Sequence, residues 1–344
     1  MRRLPEEWIA TTTLRIGIIG TGNMGRIHAR VLSGMHTLAG VADTDFEKAE
    51  EVARLYEVEA YDDYQSMIDQ ASLDGVVVST PTETHASIVE RIASDNTGIR
   101  GMLIEKPMAR TAKDAQRVAK LLREKCIVAL VGHSEIYNPV VERTLKLIRN
   151  GAVGTPQSVI HDRRGFVSPT RIESLGDVFE DIGVHDFDIM RRISHGPAKL
   201  YAQCSMKNEV MNAGTVMVRF ESGVEHFFHL SRQYVGRKRS MDVSGTKGTL
   251  TLDLFGQIIK IQDLDQAPSA DGRTLSLPER GATIKVYGEP LQQVVSDFLH
   301  CIETGDTPKV GLDDGIAALE IVEASRKSAL SGKVIDIMIQ SGHV

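Results

Sequence analysis

The chain of 344 residues has few cysteines, no excess of basic residues and no long apolar run, and each shortage excludes a class of protein. Its three cysteines, Cys126, Cys204 and Cys301, lie far apart and form no C-x-x-C pair, which excludes a disulfide framework and a zinc knuckle. The net charge of -6 gives no electrostatic reason to expect a nucleic-acid partner. No apolar stretch approaches the roughly 18 residues that cross a bilayer. We therefore expect a cytoplasmic protein that binds neither nucleic acid nor membrane.

The pattern of apolar residues predicts an α/β protein of two domains, as the length also suggests. From residue 14, short β-branched runs alternate with longer amphipathic stretches, which is typical of a doubly wound parallel sheet of the Rossmann type. The five predicted parallel strands are LRIGIIG, TLAGVAD, DGVVVST, GMLIEK and CIVALVG. Beyond RNGAVGTPQ come one helical stretch, 177–193, and several strand-like runs separated by turns, which predict a large, mostly antiparallel sheet.

These patterns divide the chain into three parts. Residues 1–12 are predicted to form a short N-terminal arm, because acids and a proline interrupt any apolar core of a signal peptide. Residues 13–134 are predicted to form the dinucleotide-binding Rossmann domain, and residues 135–338 the substrate and oligomerisation domain. Two predicted C-terminal helices, 290–303 and 313–331, could pack back on the first domain.

A glycine fingerprint follows the first predicted strand directly: Gly20, Thr21, Gly22, Asn23, Met24 and Gly25. Before a helix, such glycines allow a tight turn and close approach of a pyrophosphate, while the helix N-terminus attracts the phosphates. The second strand ends in Asp43, eighteen positions after Gly25, where an acid would accept the ribose hydroxyls. A carboxylate repels a 2′-phosphate and no arginine follows it directly, so NAD is favoured over NADP. The alternative is an ordinary glycine-rich turn.

Two further loops follow predicted parallel strands, at the sheet edge where ligands bind. In STPTETH, Thr80, Pro81 and His85 are predicted to contact the cofactor, the alternative being a helix-starting loop with a surface histidine. In IEKPM, Glu105 and Lys106 end a buried strand and are predicted to contact the cofactor, since a lysine there would point towards the nicotinamide. Taken alone, this fragment would be read as a solvated loop lysine.

In combination these motifs are more specific. The chain resembles the glucose-fructose oxidoreductase, inositol dehydrogenase and MocA (Gfo/Idh/MocA) family in the order and spacing of four motifs. These are the glycine fingerprint, the Thr-Pro-x-x-x-His loop, Glu-Lys-Pro and the Asp-x-x-x-His-x-x-Asp of residues 181–188. The resemblance extends from about residue 13 to 338. It implies a second domain whose open sheet face forms the subunit contact, and hence a homodimer or homotetramer. One departure is Gly176-Asp177, where a Gly-Gly pair is common.

The resemblance also implies catalytic residues, since Lys106, Asp181 and His185 match the positions that act on the reacting hydroxyl. On an ideal helix Asp181, His185 and Asp188 fall within about 60°, which predicts that they line a rim beside the apolar face. Asp186 falls among the apolar positions, so we expect a buried, hydrogen-bonded acid with a structural role.

The predicted chemistry is removal of a proton from a secondary alcohol while its carbon gives hydride to the nicotinamide. His185 suits the base, because its ordinary pKa of about 6.5 lies near working pH. Lys106 would stabilise the developing alkoxide, and it could also take part in proton transfer. The sequence leaves open which of the two accepts the proton.

Two stretches, GHSEIYNPVV and RRGFVSPTRI, resemble segments of the branch that oxidises a ring hydroxyl of nucleotide sugars such as UDP-N-acetylglucosamine. Tyr137, Asn138, Arg164 and Arg171 would then face the substrate, an arginine being suited to a diphosphate or carboxylate. Tyr234 is a further candidate. The alternative for each is a surface loop residue.

We therefore predict an NAD-dependent dehydrogenase acting on a cyclic polyol or a sugar. A non-catalytic sensor of dinucleotide and sugar is the main alternative, although a sensor is not expected to keep the trio of Lys106, Asp181 and His185. A metal site is a second alternative, because His85, Asp181, His185 and Asp188 are ligand types. Each of these residues already has an explanation without metal, so no metal is predicted.

Overall fold

The computed structural model describes residues 14–95, 97–168, 172, 175–207, 209–263 and 281–342, arranged around two β-sheets. The predicted arm over residues 1–12 lies outside the described residues. Among those described, we find no helix that is both long and apolar enough to span a membrane.

The first sheet has six parallel strands in the order β3-β2-β1-β4-β5-β6, the strand order of a Rossmann fold. Its strands are β1 (Ile16–Ile19), β2 (Leu38–Ala42), β3 (Glu59–Tyr61), β4 (Gly75–Val78), β5 (Gly101–Ile104) and β6 (Val128–Val131). The helices between them are α1 (Asn23–Gly34), α2 (Phe46–Tyr56), α3 (Tyr64–Ala71), α4 (Thr82–Ser94) and α5 (Ala112–Glu124). The five predicted parallel strands are confirmed, whereas β3 and α3 were not predicted.

The second sheet has nine strands in the order β14-β13-β12-β11-β7-β10-β9-β8-β15. They are β7 (Pro156–Phe166), β8 (Gly196–Lys207), β9 (Val210–Phe220), β10 (Glu225–Ser231), β11 (Gln233–Gly245), β12 (Gly248–Asp253), β13 (Ile258–Asp263), β14 (Ala282–Lys285) and β15 (Ile335–Ile339). All neighbouring strands are antiparallel except β7 and β10. The predicted large, mostly antiparallel sheet is confirmed.

Four helices accompany the second sheet: α6 (Pro139–Arg149), α7 (Val184–Ile193), α8 (Pro290–Thr304) and α9 (Leu312–Ser331). Helices α7 and α9 share one apolar core with the inner face of strands β8 to β10. The opposite face is open: side chains alternate between buried and exposed along β9, and Ile160 and Met217 are exposed large apolar residues on neighbouring parts of the sheet.

The last two helices also contact the first sheet. A Cβ added at Gly75 or Gly101 would collide with Ile302 of α8, so this helix packs directly on β4 and β5. Glu323 of α9 accepts a hydrogen bond from the backbone N–H of Ala112 at the start of α5. The two helices therefore pack against both halves of the molecule.

A turn of π-helix, Phe179–Gly183, leads into α7. The Asp177 carboxylate starts it by accepting hydrogen bonds from the backbone N–H groups of Phe179 and Glu180, at 2.9 and 3.0 Å. Asp177 also pairs with Arg326 of α9 at 2.6 Å. Asp177, which replaces the usual second glycine, therefore stabilises the turn by capping it. The wider turn changes the direction of the side chains that follow it from those of an ideal α-helix.

Candidate active site

The glycine fingerprint joins β1 to α1, and its three glycines have different surroundings. Gly20 has φ +92°, and a Cβ on Gly25 would lie 1.9 Å from the carbonyl oxygen of Gly20. These two glycines are required by the fold itself. A Cβ on Gly22 would meet nothing within 4 Å. The open space beside Gly22, at the N-terminus of α1 where Asn23 and Met24 begin the helix, fits the pyrophosphate of a dinucleotide.

Asp43 follows β2 and lies against this loop. Its carboxylate accepts hydrogen bonds from the backbone N–H of Thr21 at 2.7 Å, the Thr21 hydroxyl at 3.0 Å and the backbone N–H of Asp45 at 3.0 Å. A carboxylate offers about four acceptor positions, so capacity remains for a ligand hydroxyl. The predicted role of Asp43 at the ribose is compatible with this placement.

His85 lies in the first turn of α4 and links two loops through its ring nitrogens. It is only 1% exposed, and its ring nitrogens lie 2.8 Å from the Thr80 carbonyl oxygen and 3.0 Å from that of Pro107. Burial lowers the pKa of His85 more than the two carbonyl oxygens raise it, so the ring is neutral at pH 7 and donates to one of the two carbonyls. The predicted direct contact of His85 with the cofactor is therefore corrected: the side chain positions the loops that carry Thr80, Pro81 and Pro107.

Glu105, at the end of β5, is buried against α1. His28 Nε2 lies 2.7 Å from its carboxylate, which also accepts the backbone N–H of Lys106 at 3.1 Å. Burial alone would raise the pKa of Glu105, but the hydrogen bond and charge of His28 and the charge of Lys106 outweigh burial and lower it. The predicted cofactor contact of Glu105 is corrected as well, because this ionised side chain faces inward and holds the backbone of Lys106.

Lys106 and Asp181 come together at the carboxyl end of β5, although 75 positions separate them. Lys106 Nζ donates to the Asp181 carbonyl oxygen at 2.7 Å and lies 3.8 Å from its carboxylate. Arg232, whose side chain is fully buried, approaches the other carboxylate oxygen at 3.5 Å and donates to the Gly176 carbonyl at 2.9 Å. Asp181 is therefore flanked by two cations. Arg232 was not predicted from the sequence.

His185 lies in the first turn of α7, near Lys106. Its Nδ1 is buried, and no described residue forms a hydrogen bond with it. The pKa of His185 is lowered well below its ordinary value, first by burial and then by the positive charges of Lys106 and Arg163. The ring is neutral at pH 7 and so able to accept a proton, although the lowered pKa also makes it a weaker base.

The two other acids of this helix are both buried. Asp186 accepts two hydrogen bonds from Arg163, at 2.6 and 3.1 Å, which confirms the expected structural acid. Asp188 pairs with Arg191 at 2.9 Å and is fully buried, so its predicted position on the rim is wrong. The error concerns what covers the helix, because Arg191, which holds Asp188, also pairs with Asp314 of α9 at 3.1 Å and this packing encloses Asp188.

The described residues contain no group of three or more histidines, cysteines or acids arranged to hold a metal ion.

Comparison with known proteins agrees with this geometry. A model described as an oxidoreductase family with an NAD-binding Rossmann fold matches residues 14–133, and a GFO/IDH/MocA C-terminal domain model matches residues 141–251. The chain belongs to the Gfo/Idh/MocA oxidoreductase family. It is an NAD(P)-dependent oxidoreductase acting on CH–OH groups.

Relatives of this Gfo/Idh/MocA protein differ in substrate. It is 28% identical over 341 residues to inositol 2-dehydrogenase of Rhizobium meliloti (strain 1021), covering 94% of this chain and 99% of that one. It is 30% identical over 177 residues to UDP-N-acetylglucosamine 3-dehydrogenase of Acidithiobacillus ferrooxidans, and this match covers 51% of this chain and 53% of that one. A structure of levoglucosan dehydrogenase with NADH and levoglucosan superposes with a TM-score of 0.81 at 21% sequence identity, and the match covers 94% of this chain and 99% of that one. At this identity the likeness shows the fold alone.

In this family member, two predicted substrate residues have structural roles instead. Tyr137 is 3% exposed and donates from its hydroxyl to Asp297 of α8 at 2.6 Å. Asn138 is also buried and caps α6 by accepting the backbone N–H of Val140 at 3.2 Å. Neither side chain faces an open site, which corrects both predictions.

The other substrate candidates lie elsewhere. Arg164 points to the open face of the second sheet, opposite α7, where it pairs with Asp162 at 2.6 Å and stacks over Tyr234 at 4.6 Å. The alternation along β7 puts its neighbour Arg163, not Arg164, on the inner face. The predicted substrate contacts of Arg164 and Tyr234 are corrected accordingly. Arg171 lies outside the described residues.

Proposed function

We propose that this enzyme oxidises a secondary ring hydroxyl of a cyclic polyol or sugar by hydride transfer to NAD. The observation that carries the proposal is the approach of Lys106 Nζ to Asp181, 2.7 Å from its carbonyl oxygen, beside the neutral His185. Inositol and a nucleotide sugar in the names of its relatives support this substrate class.

Each residue has a distinct part in the proposed reaction. When bound, NAD accepts the hydride from the substrate carbon. The hydroxyl proton passes to His185, which is neutral and has a free ring nitrogen. In the alternative, Lys106 enters the reaction as a neutral amine and becomes the ammonium by accepting this proton. The Lys106 ammonium stabilises the alkoxide that develops, and the Asp181 carboxylate, fixed between Lys106 and Arg232, orients the hydroxyl and its partners.

In this proposal residues 13–134 bind NAD and residues 135–338 bind the substrate. NAD is preferred to NADP because the Asp43 carboxylate, held by Thr21 and Asp45, would repel a 2′-phosphate.

The test is an assay of NADH absorbance at 340 nm over a panel of inositols, free sugars and nucleotide sugars. We expect turnover of at least one compound with NAD, and a marked preference for NAD over NADP. An enzyme that binds NAD but reduces it with none of these compounds would instead be a sensor of the same fold.

We propose further that the open face of the second sheet forms a homodimer or homotetramer contact, because it exposes Ile160, Met217 and other large apolar side chains. Light scattering after size exclusion should show an oligomer for the wild type and a monomer for Ile160→Lys. The control is Leu55→Lys on α2, which is 70% exposed and should leave the mass unchanged. A monomeric wild type would refute this contact.

A further inference from the structure

A cluster of charged side chains lies on the inner face of the second sheet, next to α7. At its centre Arg163 of β7 donates two hydrogen bonds to Asp186 and a third to Glu135 at 2.9 Å. Arg163 is 3% exposed. Its charge is thus matched by two carboxylates, and the side chain has no access to a ligand.

Arg239 extends this cluster towards solvent. It pairs with Arg163 in the register of β11 and β7, so both side chains lie on the same face of the sheet. Arg239 donates to Glu135 at 3.0 Å, and its guanidinium lies 4.7 Å from the centre of the Phe255 ring. These contacts fix its orientation, yet the side chain remains 43% exposed. Its other guanidinium nitrogens have no hydrogen-bond partner among the described residues, which leaves donors for a ligand.

Arg237 adds a second accessible cation. It lies two positions before Arg239 on the same strand, hence on the same face, and it is exposed, with no ion pair to another described residue. The cluster then holds three arginines, Arg163, Arg237 and Arg239, against two carboxylates, Glu135 and Asp186. This local positive excess contrasts with the net charge of -6 of the whole chain.

The cluster adjoins the reacting centre, because Asp186, which Arg163 holds, directly follows His185 on α7. After burial and Lys106, the charges of Arg163 and Arg239 are the next causes that lower the pKa of His185. A ligand whose hydroxyl reaches His185 therefore has these arginines within electrostatic range. A neutral polyol would leave the accessible guanidinium groups without a matching charge.

We propose that Arg239, assisted by Arg237, forms an anion subsite that binds a carboxylate or phosphate group of the substrate. The substrate would accordingly be an acidic sugar or polyol. This inference rests on the proposed dehydrogenase function, whose reacting hydroxyl it places beside the subsite. A guanidinium is suited to the task, because its planar set of donors binds either anion through two parallel hydrogen bonds.

The experiment compares matched neutral and acidic probes: glucose with glucuronate and glucose 6-phosphate, and N-acetylglucosamine with UDP-N-acetylglucosamine. Binding to the NADH-loaded enzyme is measured by calorimetry, and turnover with NAD by absorbance. We expect an acidic probe to bind at least about tenfold more tightly than its neutral counterpart, the scale of one charged hydrogen bond. Glucuronate, glucose 6-phosphate and the nucleotide sugar distinguish a carboxylate, a monophosphate and a diphosphate as the recognised group.

Variants then assign the preference to its residues. Arg239→Gln should weaken binding of the preferred acidic probe by about 10- to 100-fold and leave its neutral counterpart unchanged, whereas Arg239→Lys should keep part of the preference. Arg237→Gln should have a smaller effect of the same kind. The matched control is Arg54→Gln on α2, where the arginine is 74% exposed, and it should change nothing. Thermal unfolding of each variant checks that it is folded.

The subsite is overturned if the wild type shows no preference for any acidic probe, or binds none of them. It is also overturned if Arg239→Gln weakens neutral and acidic probes equally. Turnover of a neutral polyol, with no acidic probe bound more tightly than its neutral counterpart, would reject the subsite and retain the dehydrogenase. Tight acidic binding that depends on Arg239, without any reduction of NAD, would retain the subsite and reject the dehydrogenase.

Discussion

Alanine at Gly22 and alanine at Gly25 should have opposite effects, although the two glycines lie three residues apart in one loop. At Gly25 a Cβ would lie 1.9 Å from the Gly20 carbonyl oxygen, and contacts under 3.0 Å essentially do not occur, so the backbone must move by about 1.1 Å. Overpacking of this kind costs about 1–3 kcal/mol. At about 2–4 °C per kcal/mol, Gly25→Ala should unfold several degrees below the wild type.

At Gly22 a Cβ meets nothing, and φ of -63° is open to any L-residue. Gly22→Ala should keep or slightly raise stability, by up to about 1 kcal/mol, because alanine restricts the unfolded chain. Its methyl group would occupy the space assigned to the pyrophosphate. The variant would lose at least one hydrogen bond to the charged pyrophosphate, which is worth about 1.5–3 kcal/mol. We therefore expect its affinity for NAD to be lower by at least about tenfold.

Scanning fluorimetry of the cofactor-free protein and titration with NAD separate the two effects. Gly25→Ala should lower the midpoint of unfolding, whereas Gly22→Ala should lower NAD affinity alone. The reasoning is refuted if Gly22→Ala binds NAD like the wild type, or if it loses as much thermal stability as Gly25→Ala.

Three further predictions concern charge. Lys106→Ala and His185→Ala should each lower kcat by at least about a hundredfold while NAD still binds, since both residues act on the hydroxyl; near wild-type turnover in both would contradict their roles. Asp43→Ala should weaken NAD binding and relax the discrimination against NADP, and an unchanged ratio of kcat/KM for the two cofactors would remove Asp43 from the site. Burial lowers the pKa of His226, so the folded protein keeps this ring neutral while the unfolded chain takes up a proton below about pH 6.5. Between pH 7.5 and pH 5.5, urea unfolding should show a total loss of about 1.4 kcal/mol from this residue, and His226→Gln with the same pH dependence as the wild type would argue against it.

Five strands of the first sheet could be predicted from the sequence because they are buried on both faces and therefore form continuous apolar runs. Strand β3, three partly exposed residues over Glu59–Tyr61, gives no such run. In the second sheet, β7 was missed although it lies between β10 and β11. Its inner face carries His161 and Arg163 among the buried positions, so the alternation of apolar and polar residues that marks a strand is hidden.

The residues of the candidate site that belong to short sequence motifs could be predicted. The residues that pair with them from distant parts of the chain could not. Lys106, Asp181 and His185 were placed by motif. The partners of Asp181 and Glu105 are Arg232 and His28, and no local pattern indicates that these residues meet. Asp188 was misplaced because the sequence does not reveal that Arg191 and Asp314 of α9 enclose it.

Helices α8 and α9 are synthesised well after the first sheet, yet Ile302 covers β4 and β5 of that sheet. The N-terminal half of a chain normally folds first as it leaves the ribosome. Here that half would emerge with an apolar surface that stays uncovered until about residues 290–331 have followed. A product truncated before α8 should therefore be an aggregation-prone fragment that depends on chaperones, and not a free-standing nucleotide-binding module.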